Sequence, residues 1–239
     1  MSLLSVNSDA KTIKGVKRGV VTGILYLAPH KVSGYNMCAG ASQGCIQSCL
    51  YTAGRGKMSS VQHARIRKTK YFMECRDLFL HELAIDIKKL HIKAMRKNML
   101  TAVRLNGTSD FPWETTSIMD DFPDVQFYDY TKIPKRAYLY GEGKLPKNYH
   151  LTFSRSESNM ADCLMALAHG CNVSFVFKSL PTQYTVDSCK SWDYSPVTYK
   201  VVDGDQDDLR FFDEKNVIVG LKAKGEARKD TSGFVINNA

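Results

Sequence analysis

The chain has 239 residues, with 33 Lys+Arg against 24 Asp+Glu and a formal charge of +9. At 44% apolar and 24% charged residues it has enough apolar surface to offset the entropy of ordering, which excludes a disordered or low-complexity polymer. No apolar run approaches the ~18 residues that span a bilayer, and the first eleven residues lack a basic stretch followed by an apolar one. A non-membrane, cytoplasmic protein is the expectation. No internal repeat or Pro/Gly/Ser-rich linker interrupts the chain, so residues 1–239 are read as one domain.

In chain order, residues 19–28 read as a first strand, and a cysteine-rich loop follows directly. Residues 59–97 then look helical. Phe72, Cys75, Phe79, Leu83, Ile87, Leu90 and Ala94 recur at three- and four-residue steps, and a break is expected because the stretch is long for a globular helix. Beyond it come short β-rich runs at 101–106, 125–129, 150–154, 172–177, 198–203 and 217–221, with helices expected at 114–122 and 160–169. Strand, crossover, strand at this spacing implies an α/β fold with a parallel sheet. The expected form is a complete or partial (β/α) barrel carrying the cysteine loop after its first strand, with a doubly wound open sheet as the alternative.

The loop holds Cys38, Cys45 and Cys49 within twelve residues, whereas Cys75, Cys163, Cys171 and Cys189 are scattered. Clustered thiols in a reducing compartment are more often metal ligands or catalytic groups than staples. There is no Cys-x-x-Cys turn of the kind that puts two sulfurs on one zinc. Spacings of six and three suit separate irons of a 4Fe-4S cluster, and three ligands leave one iron open to a small molecule. The zinc alternative would take His30 or His63 as fourth ligand.

In βα folds the chemistry gathers beyond the carboxyl ends of the strands. Those ends carry Asp110, Asp129 and Glu157 as candidate bases and Lys132 as a catalytic cation. Asn106, Ser154, Arg155, Lys178, Lys222 and Lys224 are candidates to hold an anionic substrate or oxyanion. The open iron is expected to act as a Lewis acid for hydrolysis or hydration of a small ester-like or anionic molecule.

A three-cysteine cluster loop after the first strand of a βα barrel resembles the radical S-adenosylmethionine superfamily. There the open iron binds the methionine end of S-adenosylmethionine, which the resemblance implies as a possible cofactor. The superfamily's usual Cys-x3-Cys-x2-Cys spacing is x6 and x3 here, and the strand that normally ends Gly-Gly-Glu ends Asn106-Gly-Thr-Ser-Asp110. A closer resemblance runs through Ser33-Gly-Tyr-Asn36, Thr52-Ala-Gly-Arg-Gly56, Val103-Arg-Leu-Asn-Gly-Thr-Ser-Asp110 and Phe127-Tyr-Asp-Tyr-Thr-Lys132. It continues through Leu151-Thr-Phe-Ser-Arg-Ser-Glu157 and Gly220-Leu-Lys-Ala-Lys-Gly225. These strings resemble an uncharacterised bacteriophage family with a three-cysteine loop, which implies a host cytoplasm.

Three rival motifs carry other chemistries. Gly40-Ala-Ser42-Gln-Gly44 matches a nucleophile elbow, but that turn needs a strand directly before it. Asp203, Asp205, Asp207 and Asp208 could ligate a hard cation, although the spacing misses the EF-hand rule. Residues 55–97 carry twelve Lys/Arg against four Asp/Glu, the footprint of a nucleic-acid contact or of a solvated amphipathic helix. A cluster-stabilised module that binds nucleic acid or a host protein is therefore the non-enzymatic alternative.

Overall fold

The computed structural model describes residues 2–6, 10–186 and 196–237. The elements run β1 (Leu4–Val6), α1 (Ala10–Val16), β2 (Val20–Leu25), α2 (Gln43–Gln47), α3 (Ser59–Glu74), α4 (Arg76–Met95), β3 (Leu100–Arg104) and β4 (Gln126–Thr131). They continue with α5 (Pro134–Gly141), β5 (Tyr149–Ser154), α6 (Met160–Ala168), β6 (Val173–Phe177), β7 (Gln183–Val186), β8 (Val197–Asp203), β9 (Ile218–Lys222) and β10 (Val235–Ile236). All seven expected strands are present, six with both ends within one or two residues, while β2 ends at Leu25, three residues short of the expected 28. The short β1, the hairpin partner β7 and the two-residue β10 carry too little pattern to be read in advance.

The sheet order is β1-β2-β3-β4-β5-β6-β9-β8-β7, with β10 beside β6. From β2 through β8 every neighbouring pair is parallel, while β1 and β7 add antiparallel edges. The parallel α/β architecture is as expected. Among the described residues the sheet is not closed, and β9 lies between β6 and β8, out of chain order.

Alternate residues of the strands feed two cores, as a period of two requires. Val21, Val103 and Phe127 pack with Phe72, Phe79, Leu83, Ile87 and Leu90 from α3 and α4. Their neighbours Val20, Ala102 and Tyr128 face the other way and meet Leu209 and Phe211. The strands are therefore apolar on both faces, the composition of a covered parallel sheet. A segment from Asp205 to Asp213 covers β2–β4 on this second face and is tied to α1 by Lys11–Asp205 (2.9 Å) and Arg18–Asp207 (2.6 Å).

The long helical stretch breaks at Cys75 (φ −135°, ψ 56°), where Phe72 and Phe79 enter the same core edge to face, 5.2 Å apart. The helix expected over 114–122 is instead two 3-10 turns, Trp113–Thr115 and Ser117–Met119. Thr115 and Thr116 donate their hydroxyls to the carbonyls of Pro112 and Trp113 (2.7 Å each), local bonds that compete with a regular helix. α1 and α5 were not legible from periodicity, although Pro134 stands at the first turn of α5, where its missing N–H costs nothing.

Phe72 is fully buried and touches Phe79, Phe111 and Trp113. Phe72→Ala is expected to lower the unfolding free energy by about 3–5 kcal/mol, measured by urea denaturation. A loss below about 1 kcal/mol would show that this aromatic cluster is not the core of the helical layer.

Candidate functional site

The loop after β2 carries the cysteines, and it is shaped by close backbone approaches. At Gly40 a Cβ would lie 2.9 Å from the Lys132 carbonyl oxygen, and at Gly44 it would lie 2.7 Å from the Glu157 carboxylate. The backbone at Gly40 leaves room only for glycine, whereas at Gly44 the side-chain ends of Ser232 and Glu157 would have to shift. Ser42 caps α2 by accepting the Cys45 N–H (3.2 Å), and it donates its own hydroxyl to Glu157 (2.7 Å). The other Glu157 oxygen accepts the Gly44 N–H (2.8 Å). These bonds outweigh the effect of burial and hold Glu157 below the usual carboxylate range. Glu157 is thus the clamp that seats the Cys45 turn, and Ser42 is a helix cap bonded to a carboxylate rather than an elbow serine.

Cys38, Cys45 and Cys49 all line one cavity of about 240 Å³. Burial pushes the Cys38 thiol up to about 12 and raises Cys49; Cys38 feels the charge of Cys45 and Cys49, and Cys49 that of Cys45. The backbone N–H of His30 points at the Cys38 sulfur (3.3 Å). Cys75 is exposed and Cys163 and Cys171 are buried in other elements, while Cys189 lies outside the described residues. Among the described residues no three His, Cys, Asp or Glu side chains converge as a site for one metal ion, so the zinc alternative through His30 or His63 finds no ligand group.

The rest of the cavity wall comes from the carboxyl ends of the parallel strands. Asn106 and Asp110 follow β3, Lys132 follows β4, Ser154 and Arg155 end β5, and Lys222 and Lys224 end β9. Seven of the ten non-cysteine candidates are therefore brought together beside the cysteine loop. Asp129, Glu157 and Lys178 do not line the cavity. Lys178 is exposed past β6. Asp129 is buried behind Asn106, accepting its backbone N–H (2.7 Å) and its side-chain amide (3.2 Å), and burial pushes its carboxyl up to about 7.

Asn106 organises the loop that follows. Its side-chain oxygen accepts bonds from the Ser109 hydroxyl, the Phe111 N–H and the Trp113 indole (2.9, 2.9 and 3.2 Å). This places Asp110, whose carboxylate accepts the Lys132 N–H (2.7 Å) and pairs with Arg136 (2.5 Å). Arg136 also grips Glu114 (2.6 Å). Burial raises Asp110 against the pull of Arg136.

Sequence reasoning missed three contributors. Lys11 and Arg104 line the cavity, Arg104 pairing with Asp208 (2.9 Å) and lying over the Tyr130 ring (4.7 Å). The acidic turn is consumed in such pairs: Asp205 with Lys11 and Lys224, Asp207 with Arg18 and Arg210, Asp208 with Arg104. That leaves no group for a hard cation among the described residues. The third is Arg65 on α3, only 9% exposed, held between the rings of Tyr26 (4.8 Å) and Tyr51 (5.6 Å). Its Nε and one Nη have no hydrogen-bond partner, and its charge acts on Cys49. In the sequence it is one more cation in a basic helix.

No helix among the described residues is long and apolar enough to cross a membrane. Neither a search of curated proteins nor one of solved structures finds a match to this chain. A family model described as gene product 88 matches residues 2–238, nearly the whole length. The chain therefore belongs to the gene product 88 family, in keeping with the phage resemblance of its sequence strings.

Proposed function

We propose that the protein is an iron–sulfur enzyme in which Cys38, Cys45 and Cys49 hold a 4Fe-4S cluster at the wall of a substrate cavity. The observation that carries the reading is the meeting of all three loop cysteines in one cavity at the carboxyl ends of the parallel strands. The donor set fits such a group. Three thiols at the wall of one cavity are the number that leaves one iron of such a cluster without a protein ligand. Arg65, buried with two guanidinium nitrogens lacking hydrogen-bond partners, joins Lys132 as a cation acting on Cys49. When bound, such a cluster supplies one iron with an open coordination position and a reservoir for one electron.

Two reactions are proposed for this site, Lewis-acid hydrolysis or hydration and, as the second reading, reductive use of S-adenosylmethionine. Hydrolysis needs a free base in the cavity. The carboxylates that line it are each paired: Asp110 with Arg136, Asp205 with Lys11 and Lys224, Asp208 with Arg104. Asp129 and Glu157 are committed to loop architecture. One observation favours the Lewis-acid reading, namely that burial raises Asp110 at the cavity wall, as a proton-transfer group requires. In either reaction Asn106 and Asp110 fix the wall beside Cys38, and the Glu157 clamp fixes the Cys45 turn.

Anaerobic purification followed by iron and acid-labile sulfide analysis tests the proposal. About four of each per chain is expected. Cys38→Ala, Cys45→Ala and Cys49→Ala should each abolish the brown chromophore, while Cys75→Ala, Cys163→Ala and Cys171→Ala should retain it. Zinc without sulfide refutes the cluster.

Chemistry is separated by a second assay. Reduced, loaded protein is expected to convert S-adenosylmethionine to 5′-deoxyadenosine and methionine, read by liquid chromatography. Turnover of activated esters by the oxidised protein, lost in Asp110→Asn and needing no reductant, would establish the hydrolytic reading instead.

Arg65 gives a third check. Arg65→Gln removes a positive charge beside Cys49, so the cluster should become harder to reduce in a spectroelectrochemical titration, with Arg65→Lys restoring part of the shift. An unchanged potential in a fully loaded variant would mean that Arg65 serves only to pack the two tyrosines.

A further inference from the structure

Charge pairing inside the cavity leaves an excess of one sign. Its carboxylates Asp110, Asp205 and Asp208 are all in ion pairs, and those pairs use Arg136, Lys11, Lys224 and Arg104. Three lining cations remain without a carboxylate among the described residues: Lys132, Arg155 and Lys222. Lys132 holds its ammonium 5.5 Å above the Phe234 ring, and Arg155 spans to the carbonyls of Gly233 and Phe234 (3.0 Å each). Lys222 is exposed and contributes only its backbone N–H to Asp205.

The excess continues outward from the cavity. Leu50 and Ala227 line it, and the turns that carry them touch, since a Cβ on Gly225 would lie 3.0 Å from the Ala53 Cβ. Exposed Lys57 stands on the following turn, Gly54–Lys57, and exposed Arg228 and Lys229 on the Ala227 turn, where Lys229 pairs with Glu226 (3.3 Å). A single carboxylate ligand would satisfy one of three unpaired cations. A phosphate, with close to two charges and several acceptor oxygens, satisfies the set, and a string of phosphates would also use the outer cations.

We infer that the substrate entering this cavity carries phosphate, bound by Lys132, Arg155 and Lys222. This rests on the reading of the cavity as the reaction site. The phosphate can belong to a free nucleotide or to a nucleic-acid strand, and the two sources differ in their use of the outer cations.

The test uses full-length, anaerobically prepared protein and a fluorescein-labelled single-stranded oligonucleotide read by anisotropy, with unlabelled ATP as competitor. Lys132→Gln and Lys222→Gln are each expected to weaken binding by about tenfold, as loss of a charge-assisted contact does. Lys222 is exposed, so its replacement leaves the core intact. Lys88→Gln, on the exposed face of α4, should change nothing. Displacement by ATP assigns the site to a free nucleotide; resistance to ATP together with weakening in Arg228→Gln assigns it to a strand. Failure of both probes to bind overturns the inference, as does Lys88→Gln weakening binding as much as the cavity variants. Iron and sulfide are measured on the same samples. Binding through Lys132 and Lys222 by protein that never acquires iron refutes the cluster and leaves the phosphate site standing. A loaded cluster without nucleotide binding does the reverse.

Discussion

The bond between Asn106 and the buried Asp129 joins the carboxyl ends of β3 and β4, and the working wall of the cavity depends on it. Asp129 takes both the backbone N–H and the side-chain amide of Asn106, which fixes the asparagine in one orientation. Its oxygen is then free to gather Ser109, Phe111 and Trp113 into a tight loop. From that loop Asp110 reaches the Lys132 N–H and the Arg136 guanidinium. Loss of the first bond would leave a buried carboxylate without its donors and remove the template for the loop, a double penalty in a region of low dielectric.

A second clamp works on the opposite wall by the same logic. Glu157, at the end of β5, reaches the cysteine turn through Ser42 and Gly44, more than a hundred residues away in sequence. Two carboxylates that sequence reasoning offers as bases thus turn out to hold loops.

Much of the architecture was legible because parallel strands buried on both faces leave continuous apolar runs, and runs such as 101–106 and 172–177 stand out between polar loops. The cysteine loop was legible from density alone. Other features depend on partners distant in sequence. Arg65 and Lys68 sit in a helical run rich in cations, yet both are buried, Lys68 donating to the Leu3 carbonyl (2.6 Å) and Arg65 lying between two tyrosines. The acidic turn after β8 offers itself as a cation site, but Asp205 meets Lys11 of α1, Asp207 meets Arg18 and Arg210, and Asp208 meets Arg104 of β3. The placement of β9 inside β8 leaves no local mark at all.

The pairing of α1 with the Asp205–Asp213 segment has a kinetic consequence. Lys11–Asp205 and Arg18–Asp207 are separated by nearly the full chain, and contacts of such long sequence separation close late because the loop entropy must be overcome first. The helical layer of α3 and α4 on β2 and β3 is local by comparison and can condense early. During synthesis the cysteine turn would therefore emerge and pack long before the last cavity-lining residues leave the ribosome, so the cavity stays open on one side until the chain is finished. Any group taken up by the cysteines has that interval of freer access, before the C-terminal residues complete the cavity wall.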